Sequence, residues 1–139
     1  MLRPRTLAAL LCLALPLAAG AQPYDPRLRW YTLESPHFLV HHYGGEERLA
    51  QRAAGALELA HRLLVPLLGH DPPGRTHVVL ADDSDDANGS ATVFPYNGIR
   101  LNATPPDSLS ELNDFADWVL SLVAHEYTHV LHMDQVSGV

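Results

Sequence analysis

The chain has 139 residues, with nine arginines and no lysine against sixteen acids, a formal charge of −7 with its histidines neutral. That length suits one domain, and an acidic chain without a basic run argues against nucleic acid or an anionic membrane as partner. Its single cysteine, Cys12, falls in a segment expected to be removed, which leaves neither a disulfide framework nor a cysteine metal site.

That segment is "MLRPRTLAALLCLALPLAAGA". Arg3 and Arg5 form a positive start, Leu7 to Leu17 an apolar run, and Ala19 and Ala21 the small residues of a signal-peptidase site. The run is short for a span of about 20 residues, and Pro16 interrupts it. The expectation is a signal peptide over 1–21 and an exported domain over 22–139, periplasmic or extracellular. Loss of Arg3 and Arg5 then takes the charge to −9.

"LRWYTLESPHFLVHHY" reads as two short strands broken at Ser35-Pro36. In the second, Phe38, Val40 and His42 face one way, and His37, Leu39, His41 and Tyr43 the other. "GGEERLAQRAAGALELAHRLLVPLLG" follows as a helix. Glu46 and Glu47 suit its positive start, and Leu49, Ala53, Ala56, Leu57, Ala60 and Leu64 form its apolar stripe. Pro66 ends or kinks it and Gly69 closes it. "THVVLA" is a compact strand suited to a covered sheet.

"DDSDDANGS" is a polar loop that does not meet the EF-hand pattern, so a solvated acidic turn is expected. "ATVFPYNGIRLNAT" reads as two strand pieces around Pro95 to Gly98, the second from Ile99 to Ala103. Proline and Asn-Gly there suggest a sheet edge. Sequons begin at Asn88 and Asn102. A long helix then starts at a Ser108–Glu111 capping box, or near Asn113, and stops at Gly138. This order gives an α+β, mixed α/β domain.

On that last helix, at about 100° per residue, Trp118, Val119, Leu122, Val123 and Val130 form the core stripe. Asn113, Asp117, Ser121, Ala124, Thr128 and Gln135 fall on the wet side. Glu126 lies within the apolar stripe, and His125 and His129 lie beside Trp118, so the charged triplet is expected off the solvated face. Trp118, Tyr127 and Phe115 read as core residues. His125 and His129 are one turn apart, so their imidazoles can converge on one zinc ion at Zn–N distances of about 2.0–2.1 Å. Glu126, turned away from that ion, is placed to take a proton from water activated there.

With "HEYTH" in such a helix, the sequence resembles zinc metallopeptidases of the zincin class. "WVLSLVAHEYTHVLHMDQVSG" is similar to the active-site helix of peptidase MA-like gluzincin domains of exported bacterial proteins, and the order of elements is theirs too. The resemblance implies a zincin-like fold, a twisted sheet with an antiparallel edge strand packed on two long helices. It implies Zn2+ as cofactor, His125 and His129 as ligands, and Glu126 as general base. It implies peptide or protein substrates and, in such proteins, often a downstream β-propeller. It also implies that an edge strand above the metal pairs with extended substrate, which falls here on Ile99, Arg100, Leu101 and Asn102.

One departure weighs against a complete site. A zinc enzyme normally has three protein ligands, and gluzincins take the third from a glutamate on a helix well downstream, while this chain ends ten residues after His129. The metzincin extension needs glycine at 132 and histidine at 135, where His132 and Gln135 stand. His132 lies about 10 Å along the axis from His125, too far for one straight helix to bring both to an ion with His129. The domain is thus expected to be C-terminally incomplete, with weak zinc binding and little or no turnover as it stands. The competing expectations are a non-catalytic exported module that binds peptides or a partner, and a histidine-based metal carrier. His37, His41 and His42 read as packed or surface residues rather than ligands.

Overall fold

The computed structural model describes residues 27–81, 88–102 and 117–136. The leader, the acidic turn over 82–87, the Ser108–Glu111 box, Asn113, Phe115 and Gly138 lie outside them.

The first two strands are β1 (Trp30–Glu34) and β2 (Phe38–Tyr43), antiparallel neighbours joined at Ser35–His37. The Ser35 amide donates to the Phe38 carbonyl at 3.0 Å, closing the turn that Ser-Pro begins. Helix α1 (Glu47–Leu68) then carries the chain across to β3 (Thr76–Ala81), parallel to β2. Strands β4 (Gly89–Thr92) and β5 (Gly98–Asn102) follow, then helix α2 (Trp118–Val136). The sheet order is β1-β2-β3-β5-β4, with β5 parallel to β3 and β4 antiparallel to β5. Among the described residues the result is a mixed α+β arrangement of one five-stranded sheet and two helices.

Period-two alternation sends Phe38, Val40, Val78, Leu80, Ile99 and Leu101 to a single face of the sheet. Both helices lie against it. α1 contributes Ala50, Ala53, Leu57 and Ala60, and α2 contributes Val119, Val123, Tyr127, Val130 and Leu131. The alanines of α1 let the two helices approach closely, because only a methyl group separates the backbone from its neighbour. The other sheet face carries Leu39, His41, His77, Val79 and Arg100, all half-buried.

α1 runs through Pro66 and ends at Gly69, which adopts the left-handed conformation at φ 70° and donates its amide to Val65 O at 2.9 Å. Gly69→Ala is expected to destabilise the fold by about 1–2 kcal/mol, the cost of a left-handed L-residue, in urea unfolding. The same replacement at Gly55, inside the exposed face of α1 with open space around it, should instead stabilise.

α2 opens at Asp117, whose side chain accepts the Leu120 amide at 3.2 Å and ion-pairs with Arg52 of α1 at 2.8 Å. Burial works to raise the Asp117 carboxyl, but the Leu120 amide and Arg52 outweigh it and hold it below its usual value. At the far end His70 bonds Asp134 at 2.6 Å, and Gln135 donates to Leu68 O at 3.2 Å. In the middle Tyr127 bonds His61 at 2.8 Å. The HEYTH helix is therefore fastened to α1 at three levels. Among the described residues no helix is long and apolar enough to cross a membrane.

One expectation needs correcting. The strand holding Ile99, Arg100, Leu101 and Asn102 is not the sheet edge, because it is hydrogen-bonded to β3 on one side and β4 on the other. Pro95 and Asn97 belong to the turn between β4 and β5. They mark the turn and carry no information about which strand lies outside it.

Candidate metal centre

Glu126 is only 5% exposed, as its place in the apolar stripe requires, and Gly89 of β4 rests directly on it. A Cβ built on Gly89 would lie 2.8 Å from Glu126 Cγ and 3.1 Å from Cδ and Oε1. Glycine is what lets the strand pass this close. Glu126 makes no hydrogen bond or ion pair among the described residues, yet no buried side-chain oxygen there lacks a partner.

His125 and His129 flank Glu126 and are exposed, which corrects the expectation that the whole triplet avoids the solvated face. The sheet covers the part of α2 under β4 and leaves its flank open. The two Nε2 atoms are 3.1 Å apart. Two ligands of a tetrahedral zinc at about 2.0–2.1 Å need roughly 3.3 Å between them, so the pair fits one ion with a small adjustment. The ring centroids are 4.7 Å apart and the planes cross at 78°. The rings are thus bent out of line with each other.

A second pair shows the contrast. His41 Nε2 and His77 Nδ1 are 2.9 Å apart on the outer sheet face, with centroids at 5.2 Å and planes within 18°. These rings meet almost end to end in an N–H···N hydrogen bond, which leaves no room for an ion between them. Thr32 extends the chain to His41 Nδ1 at 2.9 Å. Burial first, and His77 second, hold His41 below the usual histidine range. Together with Tyr96 and Arg100 this pair lines a groove of about 210 Å³.

Among the described residues no third ligand joins His125 and His129. Among the described residues no group of three histidine, cysteine, aspartate or glutamate side chains could hold a metal ion. His132 is exposed and Asp134 is engaged by His70. His42 is buried and stacks on Tyr31.

Sequence reasoning missed the polar network behind the motif. Glu58 of α1 accepts the Ser35 hydroxyl at 2.7 Å, the His37 amide at 3.0 Å and His37 Nδ1 at 2.8 Å. Burial acts to raise Glu58, but these donors win and keep it low. His37 stacks on His61 at 3.6 Å between centroids, and His61 bonds Tyr127. His61 Nε2 lies 3.9 Å from Asp71, beyond hydrogen-bond reach, while His61 Nδ1 and the Tyr127 hydroxyl share a hydrogen bond. Burial, then the adjacent His37, hold His61 below its ordinary value. The only local signal was a polar residue, His61, one position after an apolar-stripe alanine.

A scan of protein-family models, the curated proteins and the solved structures finds none that matches this chain. The functional reading therefore stands on the motif and its geometry.

Proposed function

We propose that this chain is the zinc-site part of an exported metallopeptidase domain of the gluzincin type. The observation that carries the reading is the pair of imidazole nitrogens 3.1 Å apart with a buried carboxylate between them in sequence, under a glycine of a sheet edge. His125 and His129 would hold zinc, with a third ligand that the resemblance implies on a downstream helix. When bound, the ion supplies Lewis-acid activation of water and of the substrate carbonyl. Glu126 takes the proton of the attacking water and passes it to the leaving amine.

The substrate-pairing strand in this reading is β4, not β5. In an antiparallel ladder, opposed residues alternate between bonded and non-bonded pairs. Asn102 N donates to Asn88 O at 2.9 Å, and Gly89 faces Leu101, Ser90 faces Arg100, and Ala91 faces Ile99. The main-chain groups of Gly89 and Ala91 therefore point to the open edge. The Asn88 side chain caps the Gly89 amide at 2.8 Å. The Gly89 carbonyl and both groups of Ala91 remain to bind an extended peptide.

The test is a Co2+ and Zn2+ titration of the chain. Expected is weak binding, removed by His125→Ala or His129→Ala and retained in Glu126→Gln. Tight binding without downstream residues would instead mark a metal carrier. The finding of only two ligands among the described residues favours one alternative, a non-catalytic module that keeps the β4 edge for peptides. It predicts peptide binding with no dependence on metal.

A further inference from the structure

β4 leads from Gly89, over Glu126, to the turn that joins it to β5. That turn carries Phe94, 86% exposed, and Tyr96, 58% exposed. The turn is well tied. Thr92 Oγ1 accepts the Phe94 amide at 3.3 Å and donates to the Phe94 carbonyl at 3.1 Å, and Asn97 O accepts the His77 amide at 2.9 Å. Tyr96 leans on His77, with centroids 4.7 Å apart. Phe94 has no ring partner among the described residues, so a large apolar side chain is held out on an anchored turn that directly follows the edge strand.

We infer that Phe94 is a specificity contact that selects an apolar side chain in the substrate about five residues before the bond cleaved. The inference rests on the β4 pairing proposed above. β4 runs away from Glu126 towards Phe94, so a peptide pairing antiparallel to it enters at Phe94 and runs towards Gly89. Residues opposite Phe94 therefore precede those level with Gly89. The five residue steps from Gly89 to Phe94 span about 16 Å of extended chain. The substrate class is an unfolded or loop segment long enough to cover that distance, with an aromatic or large aliphatic residue upstream.

The experiment uses this chain with acetylated twelve-residue peptides of alternating serine and alanine, one phenylalanine being moved along the series. Binding is read from the amide shifts of Gly89 and Ala91, and the peptide's direction from signal broadening by Co2+ at His125 and His129. Expected is about tenfold tighter binding for one placement of phenylalanine, with broadening on its C-terminal side. Phe94→Ser should erase that gain and leave the phenylalanine-free peptide unchanged. Edge shifts without any dependence on Phe94, or broadening on the N-terminal side, would overturn the inference and leave β4 pairing intact. Absence of shifts at Gly89 and Ala91 with every peptide would remove β4 pairing itself and the inference with it.

Discussion

In the protein completed by its third ligand, Glu126→Gln is expected to lower peptide hydrolysis by about 10²–10⁴-fold, the usual contribution of a general base. Zinc affinity, measured against a chromophoric chelator, should stay within a few-fold, because the carboxylate is not a ligand in this reading. Gly89→Ala should produce part of the same loss from the opposite side. The new methyl group would meet Glu126 Cγ at 2.8 Å, closer than carbon atoms tolerate. The strand is fixed by its ladder to β5, so the glutamate must leave its rotamer, at about 0.5–1.5 kcal/mol. Because both changes act on one carboxylate, Gly89→Ala should cost little more in a Glu126→Gln background. A rate unchanged by Glu126→Gln would remove Glu126 as base. Additive losses in the double variant would separate Gly89 from it.

Much of this arrangement is legible in local sequence because its causes are local. Alternation in "FLVHHY" places Phe38, Val40 and His42 inside, and the structure buries all three. Gly69 ends α1 because no other residue takes that conformation so readily. Glu126 falls in an apolar stripe and is buried there. What escaped depends on partners distant in sequence. Which strand beside Pro95 forms the edge is decided by β3, which takes β5 as its neighbour. A helical wheel gives the direction of His125 and His129 but not what covers that direction, and the sheet leaves it open. The Arg52–Asp117 ion pair that ties α2 to α1 joins residues 65 positions apart. The outer-face His41–His77 pair and the His61–Tyr127 bond likewise join residues 36 and 66 apart.

Tyr127 is where the second large effect should appear. It is 1% exposed, packs edge-on against Phe38 with centroids 5.1 Å apart, and its hydroxyl is hydrogen-bonded to His61 Nδ1. Tyr127→Ala is expected to destabilise the fold by about 3–5 kcal/mol, as other aromatic-to-alanine core changes do. Tyr127→Phe keeps the ring and leaves His61 Nδ1 without its partner, for about 1–3 kcal/mol. The two losses are read from urea unfolding at one pH. Titration of the same pair gives stability a second dependence. His61 has a lowered value in the fold, so its contribution is complete above the unfolded value of about 6.5 and is lost as pH falls through the lowered one. Burial raises the Tyr127 phenol above its ordinary value, so its contribution is present below about pH 10 and is lost as pH rises beyond it. Stability should therefore decline on both sides. Tyr127→Phe should abolish the alkaline decline, and His61→Gln, which retains a hydrogen-bonding partner for the hydroxyl, should reduce the acid one to the part supplied by His41, Glu47, Glu58 and Asp117. An alkaline decline of full size in Tyr127→Phe would mean that another group supplies it, and that the hydroxyl does not join the helices as its position beside His61 implies.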